Sequence, residues 1–195
     1  MSSVSRLAIA ALAFILLASI GASAQFGVPL NHSDPKLEPV TVRELVARYC
    51  RMDYSGARLV ASDWPKLDPM VAWRTNPDFP LFMVTSRFDV DAELGFEHGK
   101  YQVVVHYRLL GKYDMTEGYS EEAPNQIQNI LFTVAEVNGD WRITEIEPNY
   151  PHTSKAAAVQ WLSQQLSATQ DAMAKTIYQQ ALDHLQTQKA SPLAK

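Results

Sequence analysis

Asn138 and Gly139 do more than any other pair of residues to fix what this chain can become. Asn-Gly between two apolar runs signals a two-residue type I′ hairpin, because both turn positions need φ above zero. Pairing outward from that turn sets Glu136 against Trp141, Val134 against Ile143 and Phe132 against Glu145. One face then carries Ile130, Phe132, Val134, Trp141 and Ile143, with Glu145 among them. The other face, with Leu131, Thr133, Ala135, Arg142, Thr144 and Ile146, is only half polar and needs partial cover.

A second hairpin precedes this one. Phe82, Val84, Ser86, Phe88 and Val90 alternate with Met83, Thr85, Arg87, Asp89 and Asp91, and Tyr101, Val103, Val105, Tyr107 and Leu109 alternate with Gln102, Val104, His106 and Arg108. A turn centred between Phe96 and Glu97 places Phe88 against Val105, Ser86 against Tyr107 and Arg87 against His106, so the two apolar faces coincide. The polar, acidic stretch 111–126 reads as a long loop, and Pro148 and Pro151 end the sheet.

Helical signals flank the strands. Thr41 with Glu44 three positions later forms a capping-box pattern, and Val42, Leu45, Val46, Tyr49 and Cys50 keep the spacing of one helix face to about Met52. Asp53 reads as the cap of a second short helix packed by Tyr54 and Ala57. Residues 62–81 hold Pro65, Pro69, Pro77 and Pro80 beside Trp64 and Trp73, so no long helix crosses them and the indoles serve as pegs over a core edge. Over 154–190, Val159, Leu162, Leu166, Met173, Ile177, Ala181 and Leu185 keep near-helical spacing. This reads as one long amphipathic helix, or two with a break in 167–171, that covers the sheet or pairs with a second copy of the chain.

Residues 1–24 have the parts of an export signal: Arg6, an apolar stretch from Leu7 to Ile20, and small residues at Ala22-Ser23-Ala24. The stretch falls short of the roughly 20 residues a membrane span needs, and nothing after Gln25 halts transfer. Cleavage after Ala24 is expected, giving a periplasmic or secreted protein with no membrane span and a lead-in over 25–40 punctuated by Pro29, Pro35 and Pro39. Losing the signal leaves sixteen basic against twenty-one acidic residues, moving the formal charge from −4 to −5. With no basic run, nucleic acid is not an expected partner. Cys50 is the single cysteine, so no intramolecular disulfide forms despite the oxidising destination, and its place on a helix face marks a buried, inert thiol.

Residues 41–150 therefore read as an α+β domain: a curved antiparallel sheet of about four strands packed on N-terminal helices, followed by a long C-terminal helix. That order of elements, with Arg51-Met52-Asp53-Tyr54 and Val137-Asn138-Gly139-Asp140-Trp141-Arg142-Ile143, resembles the NTF2-like (SnoaL-like, cystatin-like) superfamily. The resemblance implies a cone-shaped sheet whose mouth often holds a small apolar ligand. It also implies functions ranging from isomerases and hydrolases to carriers and dimerisation modules, so fold alone does not decide function.

On the inward face, Ser86, Tyr107 and Glu145 are the polar members. A carboxylate facing Phe132 would be partly desolvated and suited to proton transfer, and Tyr107 could donate to a ligand carbonyl or an oxyanion. Tyr54, Trp64 and Trp73 complete a candidate ligand wall. Arg87, Asp89 and Asp91 fall on the other face, as an exposed ladder with His106 or Arg108. The five histidines show no metal-ligand spacing, and no phosphate loop or nucleophile elbow occurs, so neither metal nor cofactor is expected. The leading expectation is an exported, non-enzymatic module that binds a small apolar ligand or a protein partner, with a homodimer through the C-terminal helix as one arrangement. The runner-up is a small hydrolase or isomerase using Glu145 and Tyr107. A third expectation is a structural envelope module whose cone is filled by side chains.

The leader is directly testable. Intact mass of the chain recovered from an exported fraction should correspond to a protein beginning at Gln25, and a mass retaining Met1 would refute cleavage.

Overall fold

Thr41 opens the first helix, α1 (Val42–Tyr54), its hydroxyl accepting from the Glu44 N–H at 3.2 Å. The computed structural model describes residues 41–96 and 99–188. The leader 1–24, the lead-in 25–40 and the turn residues Glu97 and His98 lie outside these. Val42, Leu45, Val46, Tyr49 and Cys50 are buried along one face of α1, as their spacing predicts. Each large apolar side chain so buried contributes roughly 1.5–3 kcal/mol. The expected second helix is absent, because α1 runs on to Tyr54 and Gly56, at φ 93°, then reverses the chain. Asp53 is consequently a buried residue inside α1 and caps nothing.

The molecule is α+β, with a strongly curled mixed sheet and helices at both ends of the sequence. Its strands are β1 (Leu81–Phe96), β2 (Lys100–Asp114), β3 (Gly118–Glu121), β4 (Ile127–Val137), β5 (Asp140–Glu147) and β6 (His152–Ser154). The order is β5-β4-β2-β1-β6, with β3 also paired to β2. The sheet has six strands where about four were expected. Part of the surplus is β3, which folds the stretch read as a loop back onto β2. The other addition is β6, which lies parallel to β1 beyond Pro151, so the prolines interrupt the sheet without ending it.

The Asn138-Gly139 turn forms as expected, with φ of 55° and 87°, and pairs Val134 with Ile143. Register then shifts by one residue. Thr144 is the extra residue of a bulge, its hydroxyl donating to the Thr133 carbonyl at 3.2 Å, so Glu145 pairs with Thr133 and Ile146 with Phe132. The uninterrupted register would have pressed a carboxylate against Phe132; the bulge turns Glu145 to solvent and buries Ile146 in its place.

The first hairpin shifts three times, the third between Val90 and Glu93, where β1 gains one further residue. Leu110 is the extra residue on β2 and Ser86 the extra residue on β1, after which Arg87 pairs with Arg108, Phe88 with Tyr107 and Asp89 with His106. Beyond the bulges Phe88 and Val90 pack on the core under α1. Before them it is Met83 that joins this core, while Phe82 and Val84 join a second cluster. The expected single face, Phe82 through Val90, is thereby split between two cores.

That second cluster is closed by α2 (Lys155–Ala168) and α3 (Ala172–Thr187), which bring Ala158, Leu162, Ala181, Leu182 and Leu185 onto Phe82, Val84 and Tyr113. The C-terminal segment is thus two helices, broken where Asp171 caps α3 by accepting from the Met173 and Ala174 N–H groups. It covers the sheet. No helix among the described residues is long and apolar enough to cross a membrane. The Trp/Pro stretch forms two short 3₁₀ turns, Ala61–Lys66 and Asp68–Met70, and shields the outer edge of β5, with Ala72 N–H donating to the Ile143 carbonyl at 2.9 Å.

Gly111 is fixed by its neighbour Tyr119 across β2 and β3. A methyl group at position 111 would lie 2.2 Å from the Tyr119 hydroxyl oxygen and 2.4 Å from the ring carbon bearing it. Gly111→Ala should destabilise the protein by roughly 1–3 kcal/mol in urea unfolding. Adding Tyr119→Ala should cost clearly less than the sum of the two single variants, whereas additive costs would show that the contact is not the cause.

Candidate functional site

The space under the curl of the sheet is occupied by side chains. Tyr49, Cys50, Asp53, Arg58, Tyr107 and His152 meet there, each at most 2% exposed. Trp64 and Phe132 are buried in the same cluster, and Trp73 packs against it. Tyr107 stacks on His152 at 4.2 Å between ring centroids and lies 5.7 Å from Phe88. The His152 backbone N–H donates to Asp53 Oδ2 at 3.0 Å, joining α1 to β6, and its Nε2 donates to Gln128 Oε1 at 3.1 Å.

Burial governs the charge states in this cluster. It holds the His152 imidazole down at about 3, with the Arg58 charge acting in the same direction. Asp53 is pushed up to about 6 by burial, against the opposing pull of Arg58 and the His152 N–H. The Tyr107 hydroxyl and the Cys50 thiol are both driven far up by desolvation. The thiol is therefore inert, as its helix position predicts. Hydroxyls of Tyr49 and Tyr107, Asp53 Oδ1 and Arg58 Nη2 are buried without a partner, a costly arrangement that gives this core a polar centre.

An open site lies elsewhere, at the level of the paired bulges. A cleft of about 640 Å³ is bounded by the extra residues Ser86 and Leu110, by residues 121–125, and by the start of α2. This is within the ordinary range for a small-molecule site. Tyr54 closes one side, its hydroxyl donating to the Ser86 carbonyl at 2.8 Å. Leu109, Leu110, Ala123 and Pro124 supply apolar wall.

Three cations border the cleft: Arg87, Arg108 and Lys155. Arg87 and Arg108 sit directly opposite one another across β1 and β2, and β6 delivers Lys155 beside them because Ser154 pairs with Thr85. Arg108 Nη1 donates to Asn125 Oδ1 at 2.7 Å, while its Nε is buried with no partner. Lys155 Nζ donates to the Gln188 carbonyl at 2.6 Å. Among the described residues no carboxylate lies within 4.0 Å of Arg108 or Lys155. Glu121 and Glu122 also border the cleft. Like charges opposed across strands, and a cation in the first turn of a helix, each cost from a few tenths to about 1 kcal/mol.

Of the six residues expected to bind ligand, Tyr54 and Ser86 come together in this cleft. Tyr107, Trp64 and Trp73 belong to the filled interior. Glu145 is exposed, so it and Tyr107 do not form the expected pair; the bulge at Thr144 separates them. Arg87, Asp89 and Asp91 form the exposed ladder as read, Arg87 pairing with Asp89 at 3.7 Å and Asp91 meeting His106 Nε2 at 2.9 Å. The hydrogen bonds to Asn129 and Asp91 raise the His106 pKa. Arg108, Lys155 and the 121–125 loop were not foreseen as site residues, because their convergence depends on the bulges and on β6. No family model, curated protein or solved structure matches this chain.

The buried cluster predicts a pH signature. His152 is depressed from 6.5 to about 3, so the unfolded chain protonates first and stability is lost as pH falls from about 6.5 towards 3. Asp53 is raised from 3.8 to about 6, so it acts oppositely, adding stability as pH falls from about 6 to 3.8. The larger His152 displacement should win. Urea unfolding at pH 7, 5.5 and 4 should show wild type losing stability on acidification, and His152→Gln losing roughly 1–3 kcal/mol less across that range. Parallel profiles for the two proteins would remove His152 as the source.

Proposed function

We propose that this chain is an exported small-ligand-binding module built on an NTF2-like scaffold, with its ligand seated in the cleft at the β1–β2 bulges and not under the curl of the sheet. The observation that carries this reading is the 640 Å³ opening between Ser86, Leu110 and the start of α2, set beside an interior already filled by Tyr49, Tyr107, His152 and Phe132. The mixture of apolar wall and a few convergent polar groups is what a site for a small molecule requires. The export signal read over 1–24 puts the module outside the cytoplasm, where it would meet small molecules from the surroundings. Neither the Asp53–His152 cluster nor Tyr107 has the access a substrate needs, so the reading is of capture and release without turnover.

Native mass spectrometry of the protein taken from its own compartment tests this. Wild type should carry a small-molecule adduct. Ala156→Trp, a substitution at an exposed position bordering the cleft, should lower the retained fraction at least tenfold while the melting temperature stays within a degree or two. Equal adduct on both proteins would place the ligand elsewhere and end the proposal.

A further inference from the structure

We infer that the cleft takes a monocarboxylate with an apolar body, the carboxylate held by Arg108 and Lys155 with Arg87 at the rim. The inference rests on the reading of the cleft as the ligand site and adds the chemistry of its occupant. Two departures from ordinary sequence rules converge there. Cross-strand neighbours usually avoid like charge, yet Arg87 and Arg108 are paired. First turns of helices favour acidic residues, yet α2 has none there and begins with Lys155. Local rules broken together at one place mark a site whose requirement outweighs local stability.

The groups themselves are arranged for an anion. Arg108 uses Nη1 on Asn125, which steadies the guanidinium, while Nε is shielded from water with no acceptor of its own. A guanidinium presents the planar fork that carboxylates match. Ser154 caps α2 by accepting from the Ala157 N–H, and Ser154, Lys155 and Ala156 border the same end of the cleft. Arg87 is already paired with Asp89 at 3.7 Å, whereas among the described residues no carboxylate lies within 4.0 Å of Arg108 or Lys155, so those two cations are left for a single carboxylate. Leu109, Leu110, Ala123 and Pro124 then give the rest of the ligand an apolar bed.

Calorimetry with octanoate and 4-phenylbutyrate, each compared with its neutral amide, tests this on the whole exported chain. The acids should bind at least tenfold more tightly than the amides, with affinity falling as sodium chloride is raised. Arg108→Gln should weaken acid binding at least tenfold, leave amide binding unchanged, and keep or raise the melting temperature of the unliganded protein by ending the Arg87–Arg108 opposition. Lys155→Gln, on a partly exposed helix start, should shift acid binding in the same direction and guards against a misfolded Arg108 variant. Equal affinity for acid and amide, or no binding of either acid, overturns the charge assignment; if adduct on the native protein is still lost in Ala156→Trp, the cleft remains the ligand site. Acid binding that survives Ala156→Trp overturns both.

Discussion

The paired bulges at Ser86 and Leu110 are the constraint on which the rest of this structure depends. A β-strand alternates with a period of two, so one side of it can serve only one core unless its parity changes. Here Tyr107 and Leu109 join the core under α1 while Tyr113 joins the core under α2 and α3, and on the partner strand Phe88 and Phe82 divide in the same way. Each strand gains one residue at the same level, which keeps the two in step as far as Val90 and Val105. A bulge on one strand alone would have set apolar residues of one strand beside polar residues of the other all the way to the end of the hairpin.

The same irregularity produces the cleft. Where Ser86 and Leu110 interrupt the ladder, backbone groups turn to other partners: the Ser86 carbonyl accepts from Tyr54, and the Leu110 carbonyl accepts from Tyr119, Gln188 and the Glu122 N–H. These bonds draw in the end of α1, the β3 arm and the end of α3 around one point. Because the two extra residues offset each other, Arg87 still faces Arg108, and the pair comes to lie beside the interruption in the ladder.

Elements whose signals are local were legible in the sequence. The φ-positive Asn138-Gly139 turn, the Thr41 cap and the buried face of α1 each depend on a few adjacent residues, and each is where the residue types place it, while the break in 167–171 was one of two readings left open. The bulges were not legible because both sides of each one are apolar. Phe82, Val84, Phe88 and Val90 look like one uninterrupted stripe when the two halves face different cores. Thr144 is equally silent: only the cost of burying Glu145 argues for a shift there, and that cost appears once Phe132 is known to be buried. Strand β6 is three residues long, too short for any periodic signal, yet it carries His152 inward and Lys155 to the cleft. Tyr54 and Ser86 were read as lining the cone, and they border the cleft outside it.

The division of labour between interior and edge has an energetic logic. Placing Asp53, Arg58, Tyr107 and His152 under the curl leaves polar atoms unpartnered, and such a core tolerates little rearrangement, because each shift exposes another orphaned donor or acceptor to an apolar wall. A site built there would have to open that cluster with every binding event. The cleft at the bulges is open, so on the proposed reading a ligand enters it without disturbing that cluster. On that reading, the polar contacts locked inside set stability and the charges at the bulged edge set binding, so the two are governed by different residues.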